Sequence, residues 1–251
     1  MSTKYKVIVE YDGTGFAGWQ IQDSRTRKPT VAGAITEAIH QFCGERPTIH
    51  AAGRTDAGVH ATAMTAHFEL NRKTTPREIM GALGFHLSKS GGKCSIIKAS
   101  RARPDFHARF SCKGREYIYK ILNRPARPAL LENRAWHVAT ELNIEEMKEA
   151  AKHLIGHHDF SSFRGSGCQS SSPLKTLDSI VIKKRGEIIL VEVKAQSFLY
   201  HQVRNIVGTL KLVGEGKITP EDVKKILKAK SRPAAGPTAP AEGLYFAKAR
   251  Y

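Results

Sequence analysis

The sequence has no long hydrophobic run. A membrane-spanning helix needs about 18 consecutive apolar residues, and the longest aliphatic run here is Ile188 to Val191. No membrane contact is expected. Cysteine is scarce: Cys43, Cys94, Cys112 and Cys168 stand 51, 18 and 56 residues apart. Those gaps fit neither a disulfide framework nor a CxxC zinc pair, so free thiols in a reducing cytosol are expected. Acidic residues are in deficit. Against 40 Lys plus Arg there are 23 Asp plus Glu, a net charge of +17 over 251 residues. Such a surplus favours a polyanionic partner, and with no spanning segment nucleic acid is the stronger choice. The sequence also lacks repeats, low-complexity tracts and an apolar leader, since Met1 to Tyr5 runs straight into the alternation Tyr5, Val7, Val9, Tyr11. A cytoplasmic location is expected.

What is present suffices for a core, with 41 % hydrophobic residues. The alternation 5–11 predicts a strand ending in the turn Asp12-Gly13-Thr14-Gly15. Thr30 caps a predicted helix over about 31–42, with Val31, Ile35, Ala38, Ile39 and Phe42 on one face. A second strand places Met64, Ala66, Phe68 and Leu70 on one side and Thr65, His67 and Glu69 on the other. Thr75-Pro76 opens a second helix to about Leu87, followed by a short strand near 94–99.

The chain from Lys98 to Arg134 is more basic, ten Lys or Arg against three acids, with a strand over about 113–122 through Tyr117, Tyr119 and Ile121. Asn143 and Glu146 form a capping box for a helix ending at Gly156. Strands near 177–184 and 187–195 join through Arg185-Gly186. A helix at about 199–213 carries Val203, Ile206, Val207 and Leu210, another starts at Thr219-Pro220, and a strand closes the chain at about 243–250. Helices and hairpins in both halves predict an α+β fold, with an N-terminal subdomain 1–106 and a C-terminal subdomain 107–251.

One segment concentrates chemistry. Gly53-Arg54-Thr55-Asp56-Ala57-Gly58 holds a guanidinium, a hydroxyl and a carboxylate in a glycine-flanked loop. Arg54 and Asp56 are two apart and point the same way on extended backbone. The wider segment Ala51 to Ala61, AAGRTDAGVHA, resembles the catalytic motif of the TruA family of transfer-RNA pseudouridine synthases. The likeness continues along nearly the whole chain, in family order. It includes YDGTGFAGWQIQ (Tyr11 to Gln22), FHARFS (Phe106 to Ser111), REYIY (Arg115 to Tyr119), DFSSFR (Asp159 to Arg164), HQVRNIVG (His201 to Gly208) and AEGLY (Ala241 to Tyr245).

The resemblance implies two ferredoxin-like or RRM-like subdomains whose sheets meet at a central basic cleft. It implies a homodimer acting on tRNA, with no metal and no organic cofactor, converting uridine to pseudouridine at positions 38, 39 and 40 of the anticodon stem-loop. Asp56 corresponds to the nucleophile, attacking either the pyrimidine C6 or the ribose C1′. Arg204 corresponds to the arginine paired with that aspartate, and Tyr117 to the tyrosine set against the target base. Arg54 is the expected stand-in for the extruded base. Arg101, Arg103 and Arg109 are expected to meet phosphates. Trp19 and Phe16 are expected in core or dimer packing, Tyr119 in packing, and His60 in a structural role. Two departures stand out: Met64 replaces the frequent glutamine, and GALGFHLSKS (Gly81 to Ser90) lacks the usual Asn and Leu-Pro.

Overall fold

The computed structural model describes residues 2–21, 28–89 and 91–251, and the helices and strands expected from the sequence are present in it, with shifted ends in the second half. Gln22 and Ser90, which end two of the segments quoted above, lie outside the described residues. The chain divides into two units, Met1–Lys113 with Tyr245–Tyr251, and Gly114–Leu244. The subdomain boundary read from the sequence near residue 106 thus falls inside the first unit. The reason is local anchoring. Lys4 Nζ donates to the Phe106 carbonyl (3.1 Å), and Ala108 N donates to His67 Nδ1 (3.1 Å).

The first unit begins β1 (Thr3–Tyr11), α1 (Val31–Cys43), β2 (His50–Ala51), β3 (His60–Leu70), α2 (Pro76–Lys89), β4 (Cys94–Arg101). Strand β1 lies between β3 and β4, antiparallel to both, with Val7 opposite Ala66 and Ala99. This β-α-β-β-α-β order is the ferredoxin-like plan. Tyr5, Val7 and Val9 are wholly buried, and α1 adds Val31, Ile35 and Ile39 to the same core. Helix α1 starts where Thr30 Oγ1 accepts from Gly33 N (3.2 Å) and ends at Gly44, whose φ of 78° is left-handed. At the start of α2, Thr75 N donates to the Glu78 carboxylate (2.7 Å) and Glu78 N to Thr75 Oγ1 (3.2 Å), a reciprocal cap.

The second unit holds β5 (Gly114–Asn123), β6 (Trp136–Val138), α3 (Ile144–Lys152), β7 (Gly156–Asp159), β8 (Leu174–Arg185), β9 (Ile188–Ala195), α4 (Gln202–Gly214) and α5 (Pro220–Ala229). Its strands run in the order β5-β9-β8-β7, with β6 parallel to β5. Ile189, Val191, Val193 and Ala195 alternate into the core, where α4 buries Ile206, Val207 and Leu210. Asn143 caps α3 as expected, but the helix stops at Lys152 and Gly156 instead opens β7. The last strand, β10 (Leu244–Arg250), pairs in parallel with β3, Tyr245 opposite His60. Among the described residues, no helix is long and apolar enough to cross a membrane.

Candidate active site

Asp56 sits half-buried in the loop between β2 and β3. Three contacts fix that loop. The Thr55 and Tyr11 hydroxyls meet at 2.8 Å in a buried position, Trp19 N donates to the Thr55 carbonyl (3.0 Å), and Val59 N donates to the Asp56 carbonyl (3.2 Å). The turn after β1 presses against the same backbone. A methyl group on Gly18, whose φ is +96°, would stand 2.5 Å from the Thr55 carbonyl oxygen. Trp19 is 3 % exposed with its ring 6.0 Å from Tyr11, and its carbonyl accepts from Ala32 N (3.0 Å) in the first turn of α1. The glycine turn therefore joins strand, helix and aspartate loop. Such anchoring holds a carboxylate in one place, which nucleophilic attack requires.

Arg54 is exposed beside Asp56, and Arg54 and Arg109 line one cleft of about 480 Å³ within the first unit, together with Trp19, His50, Gly53 and His107. Arg101 and Arg103 are exposed and do not line it, and Arg103 Nε lies 3.3 Å from Asp105. His60 is buried, stacked on Tyr245 at 4.6 Å, with Nδ1 3.0 Å from Gly13 N and 3.2 Å from the Asp12 carboxylate.

The other two candidates belong to the second unit. Arg204 Nε donates to the Ala239 carbonyl (2.7 Å), and its Nη1 lies 3.1 Å from His201 Nε2. His201 has a left-handed φ of 60° just ahead of α4, so that helix begins at Gln202 and not near 199. Tyr117 is 8 % exposed, its ring edge-on to Phe198 at 5.1 Å. Tyr119 is wholly buried, and its hydroxyl donates to the Pro240 carbonyl (2.7 Å). Burial pushes that phenol well above its ordinary pKa, so it stays protonated.

Comparison with known proteins decides the family. A family described as tRNA pseudouridine synthase matches residues 7–111 and 150–251. The tRNA pseudouridine synthase A of Rhodospirillum centenum is 52 % identical over 248 residues, covering 99 % of both chains. That of Paramagnetospirillum magneticum is 49 % identical over 248 residues, covering 99 % of this chain and 95 % of the relative. The chain belongs to the tRNA pseudouridine synthase family.

In this family member the departure at Met64 falls on a wholly buried core position of β3. Sequence reasoning missed one cluster near the candidate site. His50, His67 and His107 lie together, with ring centroids 4.7 to 4.9 Å apart. Three histidines invite a metal, but the hydrogen bonds argue otherwise. His67 Nδ1 accepts from Ala108 N (3.1 Å), and His107 Nδ1 accepts from Arg109 N (3.1 Å) and Phe110 N (3.3 Å). Each neutral ring then carries its proton on Nε2, leaving no lone pair for a cation. Burial first, then His107, His50 and Lys4, pushes the His67 pKa down to about 4, so it is neutral near pH 7.

Proposed function

We propose that this chain isomerises uridine to pseudouridine at positions 38, 39 and 40 of the tRNA anticodon stem-loop, with Asp56 as the nucleophile. Family membership over nearly the whole chain, with AAGRTDAGVHA on an anchored loop, carries this reading. The Asp56 carboxylate attacks C6 of the base or C1′ of the ribose, and the N1–C1′ bond breaks. The base turns, C5 bonds to C1′ as the aspartate is released, the C5 proton passes to a base or water, and N1 takes up one proton in its place. Atoms and electrons balance without oxidant or co-reactant, so no cofactor is invoked.

A uridine inside a stem must flip out before it can react. Exposed Arg54 is suited to occupy the vacated place. Tyr117 offers a ring to the base, and Arg204 a guanidinium to favour the ionised aspartate. Arg101, Arg103 and Arg109 supply phosphate contacts, in line with the net charge of +17. The working form is a cytoplasmic homodimer that needs no metal.

The test uses anticodon stem-loop transcripts tritiated at uridine C5, incubated in excess EDTA. Tritium release is expected from the unaltered protein, whereas Asp56→Asn keeps its RNA affinity and releases none. Binding without release by the unaltered protein would make this an RNA-binding protein and not an enzyme. Release by Asp56→Asn at an appreciable fraction of the normal rate would move the nucleophile elsewhere.

A further inference from the structure

Phe110 is 78 % exposed, although its neighbours in the motif FHARFS are held firmly. Single exposed apolar side chains are ordinary, but this ring is held on a rigid support. The support is the His107 imidazole, parallel to within 30° of the Phe110 ring at a centroid distance of 4.3 Å. The fit comes from the backbone. Ser111 N donates to the His107 carbonyl (2.9 Å), and His107 N to Ser111 Oγ (3.0 Å), closing one tight turn. Inside it His107 Nδ1 accepts from the backbone N–H groups of both Arg109 and Phe110. Those bonds fix the neutral tautomer and the plane of the imidazole, and so the plane of the phenyl ring above it. Behind His107 stand His50, tilted by 52° at 4.8 Å, and His67, edge-on at 68° and 4.7 Å, which brace the imidazole. The inner face of Phe110 is therefore covered by a braced imidazole, and the side chain is otherwise largely open to solvent.

Charge identifies the occupant. His107 lines the cleft that also holds Arg54 and Arg109, and among the described residues no carboxylate lines it. Arg46, which lines it too, is matched by Glu37 at 2.8 Å. An aromatic step beside guanidinium groups suits a nucleotide, whose base stacks while its phosphate meets the cations. A protein surface offers no such regular pairing of planar ring and anion. Gly53 and Arg54 line the cleft, three and two residues ahead of Asp56.

We infer that the outer face of Phe110, backed by His107, is a stacking site for an unpaired nucleobase of the RNA substrate other than the uridine that reacts, with Arg109 on its phosphate. The inference rests on the proposed RNA substrate but not on the identity of the nucleophile.

The experiment uses full-length protein carrying Asp56→Asn, so that binding is read without turnover. Its ligand is a set of anticodon stem-loops with 2-aminopurine placed at each loop position in turn. Binding should quench the fluorescence at one position or two neighbouring ones, and Phe110→Ala should remove that quench. The same variant should weaken affinity by about 5- to 150-fold, the range of one base–aromatic stack, while Phe110→Trp retains both signals. Melting temperature should hardly move, because the side chain is solvated. Equal affinity and unchanged quenching in Phe110→Ala would overturn the proposal. So would lost affinity together with an altered sedimentation coefficient, which would assign Phe110 to contact between copies of the chain. Tritium release by the protein with Asp56 intact is measured separately. Its absence would defeat the proposed reaction and leave the stacking result to stand by itself.

Discussion

The hydroxyl groups of Tyr11 and Thr55 lie 2.8 Å apart in a buried position, joining the end of the first strand to the residue before Asp56. Thr55 is held a second time through its carbonyl, by Trp19 N at 3.0 Å. Side chain and backbone of one residue thus tie the loop to two elements distant in sequence. The carboxylate next to it inherits that fixed position without being part of the core.

Tyr11→Phe should test this anchoring. The ring and its packing against Trp19 remain, and the hydroxyl contact is lost, so stability should fall by about 1 kcal/mol. Turnover should fall further than stability explains, because the loop gains freedom while Asp56 stays intact. Thr55→Val removes the same contact from the other side. A double-mutant cycle, read in melts and single-turnover rates, should show the pair to be non-additive. Strict additivity would mean that the two hydroxyls do not act together.

Gly18→Ala should be far more damaging than a comparable change at Gly44. Both glycines have positive φ, +96° and +78°. A methyl at Gly44 meets nothing within 4 Å, whereas at Gly18 it would stand 2.5 Å from the Thr55 carbonyl oxygen. Gly44→Ala should therefore cost about 1 kcal/mol of left-handed backbone strain. Gly18→Ala adds a clash that only movement of the aspartate loop relieves, for a total of about 2–4 kcal/mol. Denaturant melts give the difference, and equal losses would refute it.

Much of the fold was legible because its signals are local. Thr30, Asn143 and Thr219 each accept a hydrogen bond from the first turn of the following helix, and the alternation at 5–11 buries Tyr5, Val7, Val9 and Tyr11. The failures are non-local. Thr65 and His67 sit on the polar side of the β3 alternation yet are 2 % and 4 % exposed. Ala52 N bonds the Thr65 carbonyl (2.8 Å) and Ala108 N bonds His67, so segments remote in sequence cover that face. The histidine cluster is hidden for the same reason, its members coming from three separate segments. No spacing rule finds it. At the candidate site the order of residues in the motif singled out Asp56 and Arg54, while the loop's anchors, Tyr11 and Trp19, became visible only in three dimensions.

The same cluster predicts how stability depends on pH. His67 has a pKa near 4 in the folded chain, below its ordinary 6.5, chiefly through burial and then through His107, His50 and Lys4. Glu69 opposes the shift without cancelling it. The unfolded chain therefore binds a proton between those values that the folded chain refuses, and stability rises with pH across the window. The contribution is complete above about pH 6.5 and is lost as pH falls toward 4, on the order of 3 kcal/mol. His67→Gln should flatten that part of the profile, measured by denaturant melts at half-unit steps. An unchanged slope would show that another group titrates there.

Tyr117 and Tyr119 share one parity on β5, and their surroundings now separate them. Tyr119 is enclosed: its ring lies edge-on to Trp136 at 6.2 Å, its hydroxyl donates to the Pro240 carbonyl, and a methyl on Gly243 would touch the ring at 2.5 Å. Tyr119→Phe should cost about 1 kcal/mol by leaving that carbonyl unmatched, and Tyr119→Leu about 2–4 kcal/mol through the added cavity. Neither should slow single turnover on protein that remains folded. Tyr117 keeps 8 % of its surface exposed and packs edge-on to Phe198. Tyr117→Phe keeps the ring and its packing on Phe198, so RNA affinity should stay close to that of the unaltered protein. If its hydroxyl serves the reacting base, the loss falls on the rate. Tyr117→Leu confounds the two effects, because so buried a ring also supports the fold, which makes the phenylalanine variant the decisive one. Melts, affinities and single-turnover rates for both phenylalanine variants complete the comparison. Full activity in Tyr117→Phe beside a folded but inactive Tyr119→Phe would exchange the two roles.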